Sequence, residues 1–358
     1  LVWSAGIVDH VIGLLDGEVV FDGTRDDFFK DFALQERLGV IIPQEVEIYR
    51  ELSKSFPQLE LFYTVEEGQK QLEKLIPVRE FTNTQVQEEE KEPVITVHNL
   101  GKTFSDGFHA LIDVNANVAK GKVVAVLGQN GSGKTTFVKH LNGLHKPTEG
   151  DVRYKGESII KKTVAQVSKN IILVFQHPEH MLFEETVERE LTFCARMQQV
   201  PFSEEQLTEV LKSYHLEEDR ETFPLNLSMG KKHMLTILSV LFSSADVIIL
   251  DEPTLGMDGF LIKELADMIK KLSAEGKTVI MISHEIPLVF KTVDEAIILN
   301  QGEKIFEGSK ESLARRDDIF DHINIQLPPV VLLSKALGLD EICYSVEEFA
   351  AKIVERNV

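Results

Sequence analysis

Apolar residues gather along this chain into short β-branched runs. Lys122-Val-Val-Ala-Val-Leu127, Ile171-Ile-Leu-Val-Phe175, Asp246-Val-Ile-Ile-Leu250 and Thr278-Val-Ile-Met-Ile-Ser283 lack the alternation of half-exposed strands and are too short for helices. Each therefore reads as a strand buried on both faces. Helical periodicity runs from Phe137 to Leu144, through a segment ending near Phe242, and behind Pro328-Pro329. This succession predicts an α/β fold around a parallel sheet. All four runs end at a glycine-rich or polar segment, and open parallel sheets bind ligands at the carboxyl ends of their strands.

The pattern also repeats. Val8-Asp9 recurs as Val293-Asp294, Gly17-Glu18 as Gly302-Glu303, and Phe21-Asp22-Gly23-Thr24 as Phe306-Glu307-Gly308-Ser309, at one constant spacing that Pro43 and Pro328 also keep. Thr64-Val65-Glu66-Glu67 matches Ser345-Val346-Glu347-Glu348 after a short slip. Register held over such a length marks a duplicated unit rather than two similar turns. Residues 1–82 are expected to be the C-terminal remnant of a first domain, 94–318 a complete second domain and 319–358 its C-terminal extension. Asn83–Pro93 (NTQVQEEEKEP) is acidic and aperiodic, the composition of a linker.

Composition narrows the function. With 358 residues, 43% of them apolar, the chain can bury more than one core. A formal charge of −20 repels a polyanion, so nucleic acid is not an expected partner. The two cysteines, Cys194 and Cys343, give neither a metal spacing nor a disulfide framework, as expected of a reducing compartment such as the cytosol. No stretch nears the roughly 20 apolar residues of a membrane-crossing helix, so a role at a membrane is expected to act through a partner.

Candidate chemistry sits at the strand ends. Gly128-Gln129-Asn130-Gly131-Ser132-Gly133-Lys134-Thr135-Thr136 follows the first run and opens a helix, as a phosphate-binding loop does. Its glycines let successive N–H groups and the helix N-terminus face a phosphate chain, Lys134 reaches the β- and γ-phosphates, and the Thr135 hydroxyl holds Mg²⁺. Asp251-Glu252 ends another run. Strand alternation points the two apart, assigning Mg²⁺ through water to Asp251 and the attacking water to Glu252 as general base. His284 is placed to donate a hydrogen bond to the γ-phosphate, and the Gln176 amide to touch Mg²⁺ or the lytic water. The expected cofactors are ATP and Mg²⁺.

Leu227-Ser228-Met229-Gly230-Lys231 then completes a resemblance to the ATP-binding cassette (ABC) family over residues 94–318, since it is similar to the family signature LSGGQ. The resemblance implies a P-loop nucleotide-binding domain with an antiparallel β subdomain, a helical subdomain and a C-terminal extension. It also implies a head-to-tail dimer in which Ser228, Met229, Gly230 and Lys231 of one cassette meet ATP held by the other. Phe104 is then the aromatic on adenine, and Leu255-Gly256-Met257-Asp258 the loop joining the two sites. Met229 replaces a usual Gly in what reads as a tight turn and is expected to slow the site, while Lys231 replaces a usual Gln and adds charge.

Within the family the chain resembles the tandem ATPases of energy-coupling-factor importers. The carriers are Phe175-Gln-His-Pro-Glu-His-Met-Leu-Phe183 with Thr186-Val187-Glu188, the turn Gly143-Leu-His-Lys-Pro-Thr-Glu-Gly150, and Pro328-Pro329. This implies an integral membrane partner whose coupling helix enters a groove behind Gln176, with the chain peripheral at the cytoplasmic face. The weaker alternative for His177, His180 and Glu179 is a metal pair. A tandem ABC protein acting on ribosomes is disfavoured by the acidic linker, and a chromosome-maintenance ATPase by the absence of heptads in 177–226.

Overall fold

A computed structural model describes residues 6–82, 86 and 91–357. It divides into two compact units, one of Gln87–Met257 with Leu261–Ile325, the other of Leu1–Val86 with Asp258–Phe260 and Gln326–Val358.

The larger unit is built on a six-stranded sheet in the order Glu303–Ser309, Glu295–Asn300, Val123–Leu127, Thr278–Ile282, Val247–Asp251 and Ile171–Val174. The last five run parallel and Glu303–Ser309 pairs antiparallel at one edge. Val123–Leu127, Val247–Asp251 and Thr278–Ile282 are buried at every position, which is why their sequences do not alternate. A four-stranded antiparallel sheet, ordered His109–Ala119, Pro93–Thr103, Glu149–Tyr154 and Glu157–Ser158, shares a core with the main sheet through Val97, Val114, Val126 and Phe137. Helices Val187–Leu191, Phe193–Gln198 and Glu204–Ser213 form the helical part, and Met229–Leu241 runs buried for most of its length.

The smaller unit carries the sequence repeat into geometry. Hairpin His10–Leu15/Glu18–Thr24 turns through Asp16 (φ 51°) and Gly17 (φ 82°); hairpin Glu295–Asn300/Glu303–Ser309 turns through Gln301 (φ 49°) and Gly302 (φ 85°). Both shift register at the same place, between Gly13 and Leu14 and between Ile298 and Leu299. Thr24 and Ser309 cap the next helix alike, accepting from Asp27 N and Ser312 N. Left-handed Gly39 and Asn324 end the following one. Pro43 and Pro328 precede Gln44–Leu52 and Pro329–Ala336; Thr64 and Ser345 cap Val65–Leu72 and Val346–Arg356.

The four helices pack reciprocally, Gln44–Leu52 on Val346–Arg356 and Val65–Leu72 on Pro329–Ala336, around Ile48, Leu52, Leu72, Val331, Phe349 and Ile353. The extension is therefore grouped differently from the sequence reading: 326–358 joins the N-terminal segment, while Ile319, Phe320 and Ile323 stay with the larger unit. The linker boundary also moves. Pro93 opens a strand, the Glu92 carbonyl accepts from Lys120 N at 3.1 Å, and Lys91 pairs with Glu295 at 2.7 Å. Asn83–Gln85 and Gln87–Glu90 lie outside the described residues.

Candidate functional site

Chain geometry alone makes the loop after Val123–Leu127 a cradle. Gly128 has φ 144°, and a Cβ there would lie 2.1 Å from the Leu299 carbonyl oxygen; at Gly133, φ 103°, it would lie 2.7 Å from that of Ala110. Only glycine fits either position. The helix that follows, Lys134–Leu141, starts without a side-chain cap, leaving its first N–H groups turned to the loop. Ser132 Oγ is buried there with no hydrogen-bond partner. Lys134 is buried, its Nζ donating to the carbonyls of Gly128 (2.8 Å) and Gln129 (2.9 Å). Burial lowers the Lys134 pKa, and Glu252 and Asp251 counter it.

The two carboxylates sit differently, though not through strand alternation, because the strand ends at the first of them. Asp251 is the last residue of Val247–Asp251 and is buried, with Oδ1 unpartnered. Burial raises its pKa, against Lys139, the Thr135 hydroxyl and Lys134. Glu252 then leaves the strand in the left-handed region (φ 50°), while its N–H still donates to the Ile282 carbonyl at 2.9 Å. Such a conformation in a non-glycine residue stores strain that surrounding contacts hold in place. Its carboxyl is also raised by burial, with His284 and Lys134 pulling it back down. An unpartnered Asp oxygen beside a threonine hydroxyl and an orphan serine hydroxyl in a glycine cradle form an oxygen-donor set that fits Mg²⁺ and phosphate.

His284 stands against Glu252. Its Nε2 lies 3.0 Å from Glu252 Oε1 and its backbone N–H donates to Oε2 at 3.3 Å, so the histidine grips the second carboxylate. Gln176 is exposed just past Ile171–Val174. Ser228 caps Met229–Leu241, accepting from Lys231 N. Met229 is the first helical residue and has no positive φ, so the expected tight turn is absent; its side chain folds over Gly256. Lys231 is held by Asp219 at 2.6 Å. Phe104 is partly exposed, with Lys102 Nζ 5.4 Å above its ring and His145 at its edge. Glu179 pairs with Lys232 at 3.1 Å, and the His177 and His180 rings meet edge to face.

Two residues escaped the sequence reading. Buried Glu190 accepts from the N–H groups of Phe183 (2.8 Å) and Glu184 (2.9 Å), pinning the segment behind Gln176. The ring nitrogens of buried His233 lie 3.1 Å from the Pro253 carbonyl oxygen and 2.8 Å from that of Gln176, and the neutral ring has one N–H to donate to either. The one available signal was a polar residue inside an apolar or helical run.

Residues 111–255 match the family model described as ABC transporter. The chain is 30% identical over 353 residues to a putative ABC transporter ATP-binding protein of Caldanaerobacter subterraneus subsp. tengcongensis, aligning 96% of this chain with 62% of that one, so it spans less than two thirds of that relative. It is 34% identical over 260 residues to the energy-coupling factor transporter ATP-binding protein EcfA2 of Clostridium perfringens, covering 69% of this chain and 90% of the relative. Among solved structures it is similar to cbiO1 from Clostridium perfringens, part of the ABC transporter complex cbiONQ, with TM-score 0.56 and 29% identity over 66% of this chain and 97% of that one. A relative matched at such identity over nine tenths of its length decides the matter: the chain belongs to the ABC transporter ATP-binding family.

Proposed function

We propose that the chain is a Mg-ATP-hydrolysing engine for a separate membrane transporter of energy-coupling-factor type, taking up a vitamin or a transition metal. The observation that carries the hydrolytic part is the raised, His284-gripped Glu252 beside buried Asp251 and Lys134 at the mouth of the phosphate cradle. A carboxylate raised toward neutrality is a better base for a water proton than an ordinary one, and His284 fixes its direction. Lys134, Ser132 and the loop N–H groups hold the phosphates; Thr135 and Asp251, with Gln176, would hold Mg²⁺, which screens their charge. In this reading Ser228 to Lys231 serve an ATP held by a second cassette.

The transport part is supported by the relatives' names and by one surface. Phe183 is exposed on the segment that Glu190 pins behind Gln176, and its ring meets Phe193 edge to face at 4.6 Å; Met197 is exposed on the helix Phe193–Gln198. An exposed aromatic ring on a pinned segment suits the coupling helix of a membrane subunit. Residues 1–82 are read as the end of a first cassette. Ile12 and Leu14 are 59% and 63% exposed, whereas their repeat equivalents Ile297 and Leu299, 1% and 0% exposed, are buried in the main sheet.

The test is ATP turnover and copurification. Glu252→Gln should bind ATP and not turn it over, and it should retain a polytopic membrane protein that Phe183→Asp releases. A Glu252→Gln protein hydrolysing at the parent rate rejects the site. Association of the parent with ribosomes instead of a membrane protein rejects the transport reading.

A further inference from the structure

Residues 142–148 join the phosphate-loop helix Lys134–Leu141 to the strand Glu149–Tyr154 and are tied down at both ends. On the helix side, the Gly143 N–H donates to the His140 carbonyl at 3.1 Å and the His145 N–H to the Lys139 carbonyl at 2.9 Å. On the other side they are stitched to Pro93–Thr103. The Thr148 N–H donates to the Gly101 carbonyl at 2.9 Å, the Thr103 N–H to Thr148 Oγ1 at 3.0 Å, and Lys102 Nζ to the Lys146 carbonyl at 2.9 Å. Phe104 follows that strand directly, on a tip closed by hydrogen bonds of 2.9 Å from the Phe104 N–H to the Phe108 carbonyl and from the Gly107 N–H to the Phe104 carbonyl. A phenylalanine on a surface tip is ordinarily free to change rotamer. Here Lys102 Nζ stands over its ring, and the His145 ring meets it nearly at right angles, 83°, with centroids 6.0 Å apart. The same imidazole lies 5.6 Å from that of buried His140, whose Nδ1 donates to the Thr136 carbonyl at 2.8 Å. His145 is thus a link between the helix that opens at the phosphate cradle and the exposed aromatic. Burial, with Lys139 and Lys102 adding to it, lowers its pKa, so at neutral pH the ring is uncharged and does not repel those lysines.

We propose that His145 is a positioning residue for the base of the bound nucleotide: its ring braces Phe104 against the phosphate-loop helix, so that the aromatic platform is already oriented when a triphosphate enters the cradle. A side chain ordered before binding has less freedom left to lose on binding, and that saving appears as affinity. His145 touches no reacting atom; it acts through the Phe104 ring. The inference rests on the reading of 128–136 as a phosphate cradle and of Phe104 as the surface for the base.

Base and phosphates can be read separately. Calorimetry on the full chain with Mg²⁺ gives the Kd of the β,γ-imido analogue of ATP and, in parallel, that of inorganic tripolyphosphate, which has no base. His145→Ala should weaken the nucleotide roughly three- to tenfold, the scale of ordering one side chain, and leave tripolyphosphate at the parent affinity. His145→Phe keeps a ring to meet Phe104 and should restore nucleotide binding. Phe104→Ala should itself weaken the nucleotide about tenfold, the scale of one lost base stack. Adding His145→Ala to it should then cost nothing further, because the ring to be braced is gone. Parent-level nucleotide affinity in His145→Ala overturns the proposal, as do equal losses for nucleotide and tripolyphosphate, a His145→Phe protein as weak as His145→Ala, or additive losses in the double variant. The underlying reading fails by different signs: Phe104→Ala binding nucleotide like the parent rejects the base surface, and Lys134→Ala retaining tripolyphosphate rejects the phosphate cradle, and either takes the proposal with it.

Discussion

At the level of single residues, a side chain's placement follows from its neighbours in sequence at some positions and from contacts across the fold at others. Lys134, Asp251 and Glu252 announce themselves because a glycine loop and a buried strand deliver them. His284 was found, but its grip on Glu252 at 3.0 Å could not be, since thirty-odd intervening residues separate them. Lys134→Ala should abolish ATP binding while Glu252→Gln preserves it, a contrast that equilibrium binding of a fluorescent nucleotide measures directly. His140, on the phosphate-loop helix, makes a second prediction. It is buried, with Nδ1 2.8 Å from the Thr136 carbonyl, and burial, with His145 and Lys102 adding to it, lowers its pKa to about 4. A proton taken up near pH 6.5 by the unfolded chain is refused by the folded one until about pH 4. Stability from this group is therefore complete above pH 6.5, falls as pH drops toward 4 and then levels, a loss of at most about 3 kcal/mol. His140→Asn retains the donor to Thr136 and should flatten that stretch of the acid denaturation curve.

Among the elements, strands were the most legible because burial on both faces writes itself as an uninterrupted apolar run. The phosphate-loop helix ends at Leu141 rather than Leu144, where Asn142 and Gly143 take over. The signature turn was misread because a glycine-to-methionine change suggests a backbone requirement, whereas Met229 sits in ordinary helical geometry and it is Gly230 that is crowded. A Cβ at Gly230 would lie 2.6 Å from Leu261 Cδ1 and 2.9 Å from the Gly256 carbonyl oxygen. Gly230→Val should cost about 1–3 kcal/mol in urea unfolding through overpacking. It should also depress turnover far more than Met229→Gly alters it, with ATP affinity at Lys134 unchanged. Lys231 is another case in which pairing decides. Its ammonium is engaged by Asp219, and since both side chains are partly exposed the pair contributes at most about 1 kcal/mol.

For the whole molecule, the repeat was visible in the sequence down to single turns, yet the reciprocal packing of 43–76 with 326–358 was not, because which helix faces meet is a long-range property. A site completed by a second cassette predicts that ATPase activity per chain rises with protein concentration and saturates. Sedimentation run in parallel should show that the active species is not the monomer, and an excess of EDTA should abolish turnover at every concentration. Linear scaling of total rate with monomer would reject the shared site. The His10–Thr24 hairpin carries one more consequence. Ile12, Leu14 and Val19 present an apolar, hydrogen-bonding ribbon to solvent. Such a ribbon is a seed for self-association, so the chain should be colloidally fragile and prone to precipitate on warming, with limited proteolysis cutting first near this hairpin. Leu14→Lys should raise the temperature at which light scattering begins while leaving nucleotide affinity as it is, turning a sticky surface into a well-behaved one with a single charge.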